Sequence, residues 1–292
     1  MRTTTKISIC CLLLSSCFLG GIFADSISSF TRQKVLDFMT ERVKLKDESV
    51  DAAVKGIEEI QKATMAELEA NALDYEQEKC ILESLYFMEI YDRSVTDENR
   101  KEMREKMRTL MERNFKCIDN RDEGKISEWL YQVCGDVTSY YMTRSIAATF
   151  HYGMKVKSMY ESAVKINPVM PQGNVSLGNW YFFAPGIFGG SNKKAERCYK
   201  NAVKGAEQSG VPGEKFIAYE YLSQLYFEEE KDSLYKEMFS KFKSLGIGVR
   251  EVGIAENCNA NGYSFYQYMR NKSAIDKELP ESEKDDADKK KS

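Results

Sequence analysis

One histidine, five prolines and two tryptophans in 292 residues leave little material for several kinds of protein. A Ser-His-Asp or Cys-His triad would have to use His151, and no G-x-S-x-G elbow accompanies it. His151 sits among apolar neighbours in Ala-Ala-Thr-Phe-His-Tyr-Gly, where a packing or hydrogen-bonding role is expected rather than that of a base. No C-x-x-C pair occurs, which excludes thioredoxin-like redox chemistry and the usual zinc ribbons. Strand signals are scarce, and the long stretches between breakers carry helical periodicity. Excess charge is missing as well. Lys and Arg number 42 against 45 Asp and Glu, interspersed, so general nucleic-acid binding is not expected. The reading is all-α and not an enzyme, with no cofactor and no metal.

Apolar runs are also few. The only one of near-membrane length is Ile7 to Phe23, behind the basic start Met1-Arg-Thr-Thr-Thr-Lys6. It reads as an export signal over 1–24, cleaved between Ala24 and Asp25. Two rivals stay open. Leu14-Ser-Ser-Cys17 resembles a lipobox, which would anchor the protein through a lipidated Cys17, and an uncleaved membrane anchor is the third reading. All three place the protein outside the cytoplasm, in a periplasm. Cleavage would take Arg2 and Lys6 and leave 40 basic against 45 acidic residues. It would also leave five cysteines, Cys80, Cys117, Cys134, Cys198 and Cys258, an odd number that cannot pair fully within one chain. Cys134 and Cys198 read as small residues on packed helical faces.

What the chain does have is a repeated helical pattern. Leu177-Gly-x-x-Tyr181 lies between Tyr160-x-x-Ala163 and Ala195-x-x-x-Tyr199-x-x-Ala202. Gly178 brings no side chain where two helices approach, and Leu177 and Tyr181, four apart, share a face. Ala195, Tyr199 and Ala202 alternate small, large and small on another face. Pro168 ends the helix before it. Leu222-Ser223, Tyr226, Tyr235, Phe239 and Phe242 repeat the arrangement in degenerate form. Upstream, Leu82, Leu85 and Tyr86 with Met103, Met107 and Leu110 suggest another hairpin, and Trp129 to Tyr141 suggests a first helix that pairs with the run ending at Ala163.

The pattern resembles the tetratricopeptide repeat, in which helical hairpins of roughly 34 residues stack into a solenoid. That resemblance implies an α-solenoid of such hairpins over 80–270, preceded by an additional helical N-terminal region over 25–79. A charged tail over 271–292 would follow, disordered from Pro280. Asp25–Lys46 reads as a docking helix with Val35, Leu36, Phe38 and Met39 on its apolar face. Tyr181 to Ala195 is 14 residues, about 5 more than the repeat's usual hairpin, so 184–192 reads as an insertion. Its glycines and lysines do not fit a P-loop, and Ser191 reads as the N-cap of a helix from Asn192. Trp180, Phe183, Ile187 and Phe188, with Phe182, either form an apolar lip over a groove or plug the insertion into the core.

Carried over in the family's register, the concave face would present Gln172, Val175, Asn179 and Phe182 from one first helix. Ile217, Glu220, Gln224 and Phe227 follow from the next. Such a ladder of amides and aromatics suits a protein or peptide partner, which makes an exported scaffold the first expectation. The alternative comes from a likeness to exported repeat proteins of spirochaetes, among them the T component of tripartite ATP-independent periplasmic (TRAP) transporters. It implies an accessory that partners a periplasmic substrate-binding protein and holds a small apolar or amphipathic ligand near Trp180 and Phe188. A self-associating envelope protein is the third expectation.

Overall fold

The computed structural model describes residues 26–278 apart from residue 144. The export signal, Cys17 and the charged end from 279 onward lie outside the described residues. All regular structure within them is helical. Twelve helices follow one another: α1 Ser29–Lys44, α2 Val50–Asn71, α3 Tyr75–Ser94, α4 Arg100–Asp119, α5 Glu128–Met142 and α6 Ile146–Ile166. Then come α7 Pro171–Phe183, α8 Asn192–Ser209, α9 Pro212–Glu228, α10 Asp232–Ser244, α11 Val249–Ala260 and α12 Phe265–Glu278. Single 3-10 turns occupy Leu45–Asp47, Glu123–Lys125 and Gly186–Phe188.

Local chemistry sets most of the helix ends. Ser28, Ser49, Asp74, Ser127, Ser145 and Ser191 each accept a hydrogen bond from a first-turn amide of the helix that follows. Pro171 and Pro212 open α7 and α9, where their missing amide protons leave nothing unsatisfied. Pro168 stops α6 at Ile166. Gly210 ends α8 at φ +75°, a conformation a side chain would strain. Two expected boundaries fall inside helices. The one at 79/80 lies within α3, and α12 passes 271 with a break from helical geometry at Asn271.

The helices pack as sequential antiparallel pairs, α1 with α2 through α11 with α12. First members also pack on one another, α1 on α3, α3 on α5, α5 on α7 and α7 on α9. The row then closes, because α9 packs back onto α1. Five parallel helices thus make an inner ring, with their partners outside. The unit is longer than the expected one of about 34 residues. Gly135 of α5 and Gly178 of α7 hold equivalent places 43 residues apart, because the intervening outer helix α6 runs to 21 residues.

Two apolar cores meet at α1. Val35, Phe38 and Met39 belong to the one built with α2 to α5, where Phe38 and Tyr86 pack edge to face at 4.7 Å. Val43 belongs to the other, built from α7 to α10 around Tyr199, Phe216 and Phe242. Each such fully buried side chain contributes about 1.5–3 kcal/mol. The expected docking helix therefore docks within its own chain. It is the element that joins the first hairpins to the last.

Candidate ligand-binding lumen

Two hairpins use the same joint to carry a polar group inward. In α5 a Cβ on Gly135 would lie 2.5 Å from the Tyr160 ring of α6. With the space left open, Tyr160 crosses the helix and donates its hydroxyl to Asp136 Oδ1 at 2.9 Å. In α7 a Cβ on Gly178 would lie 2.4 Å from the Tyr199 ring of α8. Tyr199 crosses there and donates to Asn179 Oδ1 at 2.6 Å. Asp136 and Asn179 follow their glycines by one residue and stand on the inner layer. Gln132 Nε2 and Ser176 Oγ also donate to Asp136, at 2.8 and 3.2 Å, tying α5 to α7.

Closure of the ring rests on residues 40–47, which cap helices far along the chain. Thr40 Oγ1 accepts from the Gly213 amide at 3.2 Å at the start of α9. Gly213 is required there, since a Cβ would lie 1.9 Å from the Met39 carbonyl oxygen. The Asp47 carboxylate accepts from the Val249 and Arg250 amides at 3.2 and 2.9 Å, at the start of α11, where acceptors are favoured. Arg93 of α3 donates to the carbonyls of Arg42 and Leu45 at 2.9 and 3.1 Å and so satisfies the end of α1. Lys46 forms an ion pair with Glu251.

Inside this ring lies a charged group without a partner. Arg42 Nε is buried and makes no hydrogen bond, and no ion pair to the Arg42 guanidinium occurs among the described residues. Its charge is felt by Asp92 of α3, Asp136 and Tyr140 of α5 and Glu220 of α9, so it lies in the middle of the ring. Burial raises the pKa of Asp92, with Glu89 adding to it, and burial likewise raises that of Asp136 despite three donated hydrogen bonds. Burial drives Glu220 well above the usual carboxylate range, and neighbouring Glu251 adds to that, which favours the protonated form. Glu220 Oε1 has no partner either. Burial alone would lower the Lys46 pKa, yet Glu251 and Glu220 outweigh it and hold it above its ordinary value.

These groups are enclosed yet wet. Asp92 is exposed, and Arg42, Asp136, Tyr140, Asn179 and Tyr221 all keep accessible surface although protein atoms crowd around them. The inward-facing groups of the five helices define the candidate lumen. Tyr266 of α12 covers one side of it, donating to the Tyr221 carbonyl at 2.6 Å and packing its ring 5.0 Å from that of Phe182. Burial pushes the Tyr221 hydroxyl up to about 12, so it stays a neutral donor.

The residues expected in a concave groove separate into two sets. Asn179 and Glu220 face the lumen. Gln172 is half-buried with Oε1 unpartnered, while Val175 and Ile217 are core. Gln224 is buried and committed, exchanging hydrogen bonds with Asn259 at 3.1 and 3.0 Å and accepting from the Phe265 amide at 2.8 Å. Phe182 lies under Tyr266, and Phe227 lines a shallow outer cleft of about 460 Å³ with Tyr235 and Phe239. The amide and aromatic ladder is therefore not continuous. Of the apolar cluster, Trp180 is half-buried against Lys157, whereas Phe183, Ile187 and Phe188 are exposed at the edge of the molecule. His151 is exposed on α6, edge-on to Tyr152 at 4.4 Å, rather than packed inside.

Arg42, Asp92 and Asp136 were not singled out from the sequence. A usable signal existed for one of them: Tyr160-x-x-Ala163 matches Tyr199-x-x-Ala202, and stepping back from each to a Gly-Asp or Gly-Asn pair finds Asp136 beside Asn179. Cys80, Cys117, Cys134 and Cys198 are buried free thiols, the first two in hydrogen-bonding contact across α3 and α4. No family model matches the chain, and no curated protein or solved structure matches it either.

Proposed function

We propose that this chain is a non-enzymatic binding protein, a tetratricopeptide-like solenoid wound tightly enough to close on itself, which holds a small polar anion in its lumen. The observation that carries this reading is Arg42, half-buried, with its Nε buried and without a hydrogen-bond partner. A buried guanidinium nitrogen left without a hydrogen bond carries a desolvation cost that a bound acceptor would relieve. A carboxylate or phosphate would pair with it in the bidentate manner guanidinium favours. Asp92, Asp136 and the Asn179 carbonyl would accept from the ligand's hydroxyl or ammonium groups, and the Glu220 carboxyl would donate. A compact hydroxy acid or zwitterion meets those demands better than an apolar molecule. An extended peptide is disfavoured, because α1 takes the side of the inner layer where a peptide would lie.

Export belongs to the same proposal. In that setting, a periplasmic substrate-binding protein would be the natural source or recipient of the ligand. The test is native mass spectrometry of protein purified from its own envelope, before and after denaturing extraction. Wild type is expected to retain a small anionic mass that Arg42→Gln loses while its thermal unfolding midpoint stays level or rises. A wild-type chain with no retained mass, and no thermal shift from a panel of carboxylates and phosphates, would remove this reading.

A further inference from the structure

A strip of exposed apolar side chains runs along one edge of the molecule, away from the lumen. Ile146, Phe150 and Met154 succeed one another by single turns of α6, the first two each 78% exposed. Ile187, 89% exposed, and Phe188 form the tip of the loop between α7 and α8, with Phe183 beneath them. These two segments share an edge because α6 and α7 run antiparallel. Lys157 Nζ lies 5.4 Å from the Trp180 ring, and Tyr181 donates to Glu161 at 3.3 Å, so Met154, one turn earlier in α6, is level with the end of α7.

Most of the charge on this strip is positive, with Glu161, ion-paired to Lys157, and Glu196, ion-paired to Lys200, at its margin. Residues 145–160 and 182–195 contain no Asp or Glu. Lys155, Lys193 and Lys194 are exposed within them, and the Arg270 guanidinium lies 4.6 Å from the Phe183 ring centre. Most other exposed apolar residues have acidic neighbours instead: Val50 stands beside Asp51, Tyr75 between Asp74 and Glu76, and Leu234 two residues from Asp232, whereas Met269 stands beside Arg270. The strip's most exposed residue, Ile187, is at a loop tip. A protruding apolar tip flanked by exposed lysines complements an anionic bilayer, whose headgroups attract lysine while the interface takes up the apolar groups.

We infer that this edge, built from the first turns of α6 and the α7–α8 loop, docks on an anionic phospholipid surface. This site is separate from the lumen and does not depend on a ligand there. Flotation of the full chain with phosphatidylcholine vesicles, with and without phosphatidylglycerol, tests it. Ile7 to Phe23 in the same chain has its own affinity for lipid, so edge variants are compared within the full chain, and Trp180 quenching by brominated lipid reports contact at the edge itself. Wild type should favour phosphatidylglycerol, with Trp180 quenched and buried Trp129 not. The triple variant Phe150→Glu, Ile187→Glu, Phe188→Glu should lose binding by about tenfold or more and lose the quenching. Lys193→Glu with Lys194→Glu should abolish the preference for the anionic lipid, as should raised salt. Equal binding and quenching in wild type and the triple variant would overturn the inference. So would an unquenched wild type, or a wild-type dimer that the triple variant dissociates in the absence of lipid binding.

Discussion

The α5–α6 and α7–α8 joints differ by little except the charge of one side chain. In both, a tyrosine from the outer helix lies across a glycine of the inner helix and presents its hydroxyl to the next residue. The clearances agree to within 0.1 Å, 2.5 Å at Gly135 and 2.4 Å at Gly178. The acceptor is a carboxylate at Asp136 in one and an amide at Asn179 in the other. The packing of a bulky ring against a missing Cβ repeats, and the group displayed to the lumen does not. Stability here comes from the fit, which leaves the following position free to define what the lumen recognises. A third hairpin supports this division: Ser223 takes the glycine's place in α9, and Gln224, next to it, serves α11 and α12 instead of the lumen.

The largest expected effect breaks both joints alike. Gly135→Ala and Gly178→Ala each force a ring to move within a filled core, where overpacking costs about 1–3 kcal/mol. Urea unfolding at neutral pH should give losses of similar size for the two. Combining Gly178→Ala with Tyr199→Leu should then be markedly less than additive, because the clash is already relieved. A joint that accepts alanine without loss would show that the two are not equivalent.

A smaller effect separates the joints. Tyr160→Phe removes a donor from a buried carboxylate, worth about 1.5–3 kcal/mol, whereas Tyr199→Phe removes one from an amide, worth about 1 kcal/mol. The same unfolding curves should therefore rank Tyr160→Phe as the more damaging change. Equal losses would mean that Gln132 and Ser176 already satisfy Asp136.

Much of the α7–α8 joint was legible in the sequence, and the reason is local. Leu177-Gly-x-x-Tyr181, Tyr199 and Ala202 lie within one hairpin, and Pro168 and Ser191 mark helix ends through their own chemistry. The α5–α6 joint was harder to see, since Cys134-Gly-Asp-Val-Thr138 has threonine where the pattern asks for tyrosine. The lumen was legible only in Asn179 and Glu220. Arg42, Asp92 and Asp136 look like ordinary solvated residues of charged helices until the ring closes. That closure depends on residues such as Thr40 and Asp47 capping helices 173 and 202 residues later. Periodicity reports which face of a helix is apolar and is silent on whether its polar face meets solvent or an enclosed space.

The smallest effect concerns pH and isolates the charge itself. Because burial raises the folded-state pKa of Asp136, the folded protein holds that proton after the unfolded chain has released it. Below the unfolded pKa of about 3.9 both states are protonated, and the contribution to stability is whole. As pH rises through the folded pKa, that contribution is lost. The Asp136 contribution should thus decline with rising pH across this window, with Asp92 and Glu220 adding in the same direction, against the opposite slope of Asp74 and Glu78, whose pKa values are lowered. Asp136→Asn should flatten the slope by one group's share, and the Gln132 amide, whose Oε1 lacks a partner, can turn to accept from the new donor. Asn179→Asp should steepen it, since the second joint holds its side chain in the same ring. If the first substitution flattens the curve and the second leaves it unchanged, the two joints share a shape but not an environment. The desolvating part of the lumen would then lie on the α3–α5 side, around Arg42 and Asp92.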